Sequence, residues 1–100
     1  IDRFHKKAGE AVSIKSLDLN AKTYLQPNKL SSVLKNYVNK LAKFKGYELG
    51  ESKVMPHEIK SKVLELYIPH KGNQEQQYIL KRIEQYAKQQ GVEFNAIIYK

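Results

Sequence analysis

The longest regular pattern in the chain lies between Pro27 and Phe44, where Leu30, Val33, Leu34, Tyr37, Val38, Leu41 and Phe44 recur at intervals of three and four. That spacing lays one apolar stripe along a helix. Proline suits a first helical turn, where the N–H it lacks would have no partner, and Gly46 supplies a stop. Ahead of the helix, Ile1 to His5 is short and rich in apolar and aromatic residues. Lys6-Lys7-Ala8-Gly9 follows as a polar turn, and Glu10 to Ser16 alternates Val12 and Ile14 with Ala11, Ser13 and Lys15. Period-two alternation around a turn containing glycine predicts a β-hairpin, which Asp18 and Asn20 end. Gly46 to Lys60 holds Gly50 and Pro56 without a sustained period and reads as an ordered loop or a short hairpin. Lys62 to Ile68 is a nearly continuous apolar run ending at Pro69, as expected of a strand covered on both faces. A second helix begins at Asn73 or a neighbour, buries Ile79, Ile83, Tyr86 and Ala87, and stops before Gly91; Val92 to Tyr99 forms a last strand.

The order strand, strand, helix, strand, helix, strand defines an α/β fold. Right-handed crossovers make the later strands parallel while the opening hairpin stays antiparallel, so the central sheet is mixed and flanked by helices, here expected as layers on both sides. One hundred residues accommodate one core, and residues 1–100 read as a single domain. Cysteine is absent, so a metal would have to be held by oxygen or imidazole ligands. No run approaches the ~18 apolar residues of a membrane-spanning helix, and the first residues lack the apolar stretch of a signal peptide. Eighteen Lys and Arg against ten Asp and Glu give a net charge of +8. Such a field gathers polyanions, and nucleic acid is the leading partner; a solvated basic surface or an acidic protein partner fits the same charge. Lys29, Lys35, Lys40, Lys43 and Lys45 fall mainly outside the helical stripe, as either a phosphate-tracking or a merely solvated face.

Candidate chemistry sits in the hairpin. Ser13 and Lys15 share one face of the second strand, and the turn folds Asp2 back beside them if register keeps it on that face. Phosphodiester hydrolysis has uses for each group. A carboxylate binds a divalent cation, an ammonium orients water or neutralises the charge that develops on phosphorus oxygens, and a hydroxyl holds hydration water. Spacing alone does not separate this site from a half-exposed strand whose Lys15 makes a surface ion pair.

The segment Ile1-Asp2-Arg3-Phe4, then Gly9, Ala11-Val12-Ser13-Ile14-Lys15-Ser16-Leu17-Asp18 and Thr23-Tyr24, resembles the C-terminal nuclease domain of contact-dependent growth inhibition toxins of the CdiA type. The likeness continues through Leu34-Lys35-Asn36-Tyr37, Phe44, Leu64-Glu65-Leu66-Tyr67-Ile68-Pro69 and Tyr86-Ala87-Lys88-Gln89-Gln90-Gly91-Val92, covering nearly the whole chain. That family is similar to the PD-(D/E)XK restriction endonucleases. Their pattern is an aspartate on one strand and an acid two residues before a lysine on the next, with serine replacing the acid in the toxin branch. The resemblance implies Asp2 as the metal-binding aspartate, Ser13 at the substituted acid position and Lys15 as the lysine. It further implies a divalent metal ion, zinc favoured over magnesium or manganese, and DNA as the favoured substrate, with tRNA as the alternative. It implies delivery as a secreted or cell-surface toxin into the cytoplasm of a target cell, and a cognate immunity protein. The family also carries a glutamate on a helix before the first strand, and the chain is expected to lack that helix. Glu10 lies on the opposite strand face from Ser13 and does not replace it.

Thr23, Tyr24 and Lys35 are the candidate substrate contacts, and Asp18 is placed to brace the loop that bears the first two. His5, His57 and His70 lack the spacing of a zinc site. Tyr37, Tyr67 and Tyr86 fall on patterned faces and read as core. A basic domain that binds nucleic acid without cutting it is the remaining, non-enzymatic alternative.

Overall fold

The computed structural model describes residues 1–49 and 52–99. In chain order the elements are β1 (Arg3–His5), β2 (Glu10–Ser16), a 3-10 turn (Lys22–Leu25), α1 (Pro27–Ala42), β3 (Tyr47–Leu49), β4 (Ser52–Val54), a second 3-10 turn (Pro56–Glu58), β5 (Ser61–Ile68), α2 (Gln74–Gln89) and β6 (Glu93–Ile98). The four-stranded sheet has the order β1-β2-β5-β6, with β1 antiparallel to β2 and the remaining neighbours parallel. This is the mixed sheet that the element order predicts. β3 and β4 pair separately, so the stretch without a period contains a short hairpin; Gly50 lies outside the described residues.

Both helices pack on one face of this sheet. Leu30, Leu34, Val38 and Leu41 of α1 and Ile79, Leu80, Ile83 and Ala87 of α2 share one buried cluster with Leu64, Leu66 and Ile68 of β5 and Phe94 of β6. Helical layers on both sides, expected from the apolar run in β5, are therefore corrected to one layer. The reason is topological: β2, β5 and β6 advance across the sheet in one direction, and two crossovers of the same hand then place both helices on the same side. The other face carries the Arg3–Glu65 ion pair at 3.3 Å and the tilted Tyr67–Tyr99 ring pair at 6.5 Å.

Local chemistry sets the element ends. Gly9 turns the first hairpin at φ +68, and a β-carbon there would stand 2.6 Å from the Glu58 carbonyl oxygen, so the position tolerates only hydrogen. Lys62 Nζ donates to the Ala42 carbonyl at 2.6 Å, a cation on the last turn of α1. Burial lowers the Lys62 pKa, and Lys45 nearby lowers it further. α2 opens with a reciprocal cap: Asn73 Oδ1 accepts from Gln76 N–H at 2.7 Å, and Gln76 Oε1 accepts from Asn73 N–H at 3.0 Å. Replacing Asn73 by alanine is expected to cost about 1 kcal/mol, read as a lower urea midpoint at unchanged slope.

Candidate active site

The β1–β2 ladder has its last backbone pair at Arg3 and Val12. Beyond it, Asp2 N–H donates to the Val12 carbonyl at 2.9 Å, and Asp2 Oδ2 accepts from Ile14 N–H at 2.6 Å. Val12 and Ile14 present their backbone groups to the same edge of β2. The carboxylate therefore takes the next ladder donor in place of a backbone carbonyl, through a short charge-assisted bond. That bond fixes Asp2 at the peptide between Ser13 and Lys15. Asp2 Oδ1 makes no hydrogen bond or ion pair among the described residues.

Ser13 and Lys15 pair in parallel register with Leu64 and Leu66, so they point to the face the helices cover. Two polar side chains thus extend rows that are otherwise apolar, Leu64 with Phe94 and Leu66 with Ala96. Ser13 is 9% exposed, yet its hydroxyl makes no hydrogen bond among the described residues and is not sealed from solvent. Its opening is a cavity of about 170 Å³ between β2 and α1, lined by Ile1, Ser13, Lys15, Tyr37, Lys40, Leu41 and Phe44. Asp2 is not among the lining residues; it is held alongside through the backbone. Lys15 Nζ lies 5.3 Å from the centre of the Tyr37 ring. Neither Lys15 nor Lys40 forms an ion pair among the described residues, so both cations are available to a phosphate.

Tyr37 belongs to this site as much as to the core it packs against. Its in-phase position on the apolar stripe concealed that second role, and Lys40 beside it reads from sequence only as one cation of a basic helix face. Desolvation by burial raises the Tyr37 pKa above its usual 10.0, and Tyr24 raises it further. The phenol therefore stays neutral and able to donate. A raised pKa for an acid favours the native state below the unfolded value and loses that contribution as pH rises through the folded one. Tyr37→Phe is expected to reduce the fall in urea midpoint between pH 9 and pH 11; an unchanged fall would show that the Tyr37 proton makes no such contribution.

The other candidates lie around this centre. Thr23 is exposed on the 3-10 turn, and Tyr24 in the same turn is half-buried and acts on Tyr37. Asp18 braces the approach to that turn by accepting from Asn20 N–H at 2.9 Å. Lys35 is elsewhere: it lies on the α2 side of α1, 5.7 Å over the Tyr86 ring. The turn is tied down by Gln76, which periodicity did not mark as buried. Gln76 is 2% exposed and donates to the carbonyls of Leu19 at 2.9 Å and Tyr24 at 3.0 Å.

A metal would find oxygen donors here. Asp2 Oδ1 and Ser13 Oγ are both unpartnered oxygens, a set that fits a hard cation retaining water. Among the described residues no group of three or more His, Cys, Asp and Glu converges. His5 pairs with Glu10 at 3.9 Å, and His70 bridges Asn20 and the Gly72 N–H.

Comparison with known proteins extends these observations. The profile of the CDI toxin restriction endonuclease-like domain matches residues 1–97. The chain belongs to this family. A chain from the solved "CdiA-CT/CdiI toxin and immunity complex from Yersinia pseudotuberculosis" is similar, with 32% identity and a TM-score of 0.86 over 99% of this chain and 81% of that one. No curated protein matches. Membership in the CDI toxin family agrees with the resemblance carried by the hairpin residues and places the chain among toxin nuclease domains with a restriction-endonuclease-like fold. Among the described residues no helix is long and apolar enough to cross a membrane.

Proposed function

We propose that this CDI toxin domain is a metal-dependent endonuclease that hydrolyses phosphodiester bonds of DNA in the cytoplasm of a target cell. The observation that carries the reading is the polar pair Ser13 and Lys15, set into an apolar sheet row and opening on a cavity, with the Asp2 carboxylate clamped to the peptide between them.

In this reading Asp2 Oδ1 is the protein ligand of a divalent cation, and Ser13 Oγ orients water in its hydration shell. When bound, the metal supplies a water of lowered pKa and polarises a phosphoryl oxygen. Lys15 directs its ammonium at the non-bridging oxygens, where negative charge grows as the attacking water adds, and the partly enclosed cavity strengthens that attraction. Lys40 holds an adjacent phosphate, and Tyr37 sets the position of Lys15 beneath it. Thr23 and Tyr24 contact the strand as it leaves the cavity.

One carboxylate holds a divalent ion weakly. We therefore assign the further acid to a helix ahead of β1, as the resemblance implies, with residues 1–100 forming the rest of a single nuclease domain. Zinc is the metal the resemblance favours, and the oxygen-only donor set here equally suits magnesium or manganese. The similar solved chain comes from a toxin and immunity complex, and a cognate immunity protein is the partner we infer for this one. Against a charge of +8 its contact face should be acidic.

The test is a parallel digest of plasmid DNA and total tRNA by the domain with its preceding helix, after chelation and with zinc, magnesium or manganese restored singly. DNA nicking that requires an added metal is the expected result. Cleavage confined to tRNA would transfer the site to the alternative substrate. Salt-sensitive binding without product under every metal would make the domain a non-catalytic binder.

A further inference from the structure

A second basic feature lies across α1 from the candidate active site. Between α1 and α2 runs a groove of about 420 Å³ whose walls include Asn28, Lys35, Tyr78, Arg82, Gln85 and Tyr86, with no acidic residue anywhere in its lining. Tyr78 is 60% exposed. Its hydroxyl accepts from Arg82 Nη1 at 3.3 Å, and the guanidinium sits 5.6 Å from the ring centre, so the ring is steadied while remaining open to solvent. A second hollow of about 270 Å³ shares Tyr78, Arg82 and Gln85 and adds Lys81. Tyr78 thus stands as an aromatic post between two hollows, with three cations around it. None of the three forms an ion pair among the described residues.

We propose that this groove is a second DNA contact, where the strand flanking the cleaved bond places phosphates on Lys35 and Arg82 and stacks a base on Tyr78. The inference rests on the nuclease reading above and adds where the rest of the substrate lies. An exposed aromatic ring beside unpaired cations is the combination that binds a nucleic-acid strand without sequence preference. The amides of Asn28 and Gln85 supply donors and acceptors for a base edge. An acidic protein would satisfy the cations, but it would leave the exposed ring and the amide-lined walls without a specific use.

Geometry joins the two sites. Lys35 and Tyr37 are two residues apart on α1, which separates them by about 200° around the helix. Tyr37 faces the catalytic cavity and Lys35 faces the groove. Around the outside of a helix about 10–12 Å across, that angle is a path of about 17–21 Å, spanned by roughly five to six nucleotides at about 3.4 Å per step. Lys40 lines the cavity and is exposed on the way between them.

Binding is measured by fluorescence anisotropy with a 5′-fluorescein 20-nucleotide DNA strand, in a Lys15→Ala background and with a chelator present to suppress cleavage. Tyr78→Ala combined with Arg82→Gln is expected to weaken binding about tenfold or more and to make the slope of log affinity against log salt shallower by roughly one. Lys88→Gln changes net charge as Arg82→Gln does, at an exposed position on α2 outside the groove, and is expected to have little effect. Unchanged affinity in the double variant, or an equal loss in Lys88→Gln, would overturn the proposal. So would a double variant that keeps DNA affinity and loses only its immunity protein, which would make the groove a protein-docking site. Failure of the underlying reading looks different: the domain with its preceding helix and with Lys15 intact would then cut no nucleic acid under any added metal, whatever the groove variants do.

Discussion

Lys15→Ala is expected to lower DNA cleavage by roughly 10²–10³-fold, the loss seen when one preorganised group that stabilises transition-state charge is removed. The ammonium has no ion pair among the described residues, and its one aromatic contact there is with Tyr37. Thermal stability should therefore change little. Asp2 calls for a gentler substitution, because its Oδ2 also caps the Ile14 N–H at 2.6 Å. Alanine would remove the ligand and open the edge of β2 together. Asp2→Asn keeps an acceptor for Ile14 and removes the charge that a cation needs, so it separates the two roles. Its activity should fall at least as far as that of Lys15→Ala, with the unfolding temperature within a few degrees of the parent. Initial rates of plasmid nicking under substrate-limited conditions give the ratio of kcat/KM, hence the lost transition-state stabilisation. Rates within threefold of the parent for both variants would remove the catalytic role from this hairpin.

The hairpin was legible because two short-range rules coincide there. Period-two alternation fixes Ser13 and Lys15 on one strand face, and a turn with a single glycine returns β1 along β2. The α1 stripe was legible for a similar reason: Leu30, Leu34, Val38 and Leu41 are all buried, as their spacing requires. What sequence patterning does not carry is the side of the sheet on which each helix lands. β5 reads as a nearly continuous apolar run covered on both faces, yet Glu65 and Tyr67 face away from the helices, and Glu65 pairs with Arg3. Only the strand order β1-β2-β5-β6 decides that both helices share a face. The same limit hid Tyr37. An aromatic residue in phase with a core stripe looks the same whether it meets leucine or Lys15, and the difference arises from which strand lies beneath it. Gln76 left a trace, since Asn73 and Gln76 have the spacing of a capping box. That signal accounts for the cap and not for the further reach of the Gln76 amide to Leu19 and Tyr24.

This reach makes Gln76 the residue whose loss should cost the fold most for its size. Gln76→Leu keeps much of the volume and removes every side-chain hydrogen bond, while the backbone N–H still donates to Asn73 Oδ1. The carbonyls of Leu19 and Tyr24 lose their amide donor, and Asn73 N–H loses its acceptor. Leaving buried polar groups unmade costs about 1–3 kcal/mol each where water cannot reach them. Leu19 is fully buried and Tyr24 half-buried, so a combined loss of about 3 kcal/mol is expected. At roughly 4–8 °C per kcal/mol for a domain of this length, the unfolding temperature should drop by more than 10 °C. Gln77→Leu serves as the comparison, because its one bond, to the Gly72 carbonyl, is exposed to water; a change within about 0.5 kcal/mol is expected there. The damage should also be local before it is global. The 3-10 turn of Lys22–Leu25 hangs on Gln76 through the Tyr24 carbonyl, and Tyr24 is one cause of the raised pKa of Tyr37, which lines the candidate cavity. Amide exchange at Tyr24 and Leu25 should therefore accelerate under conditions where the sheet amides of β5 remain protected. If exchange at the turn were unchanged and the two leucine variants melted together, Gln76 would be a passive occupant of the core, and the link from α2 to the turn that bears Thr23 and Tyr24 would be lost.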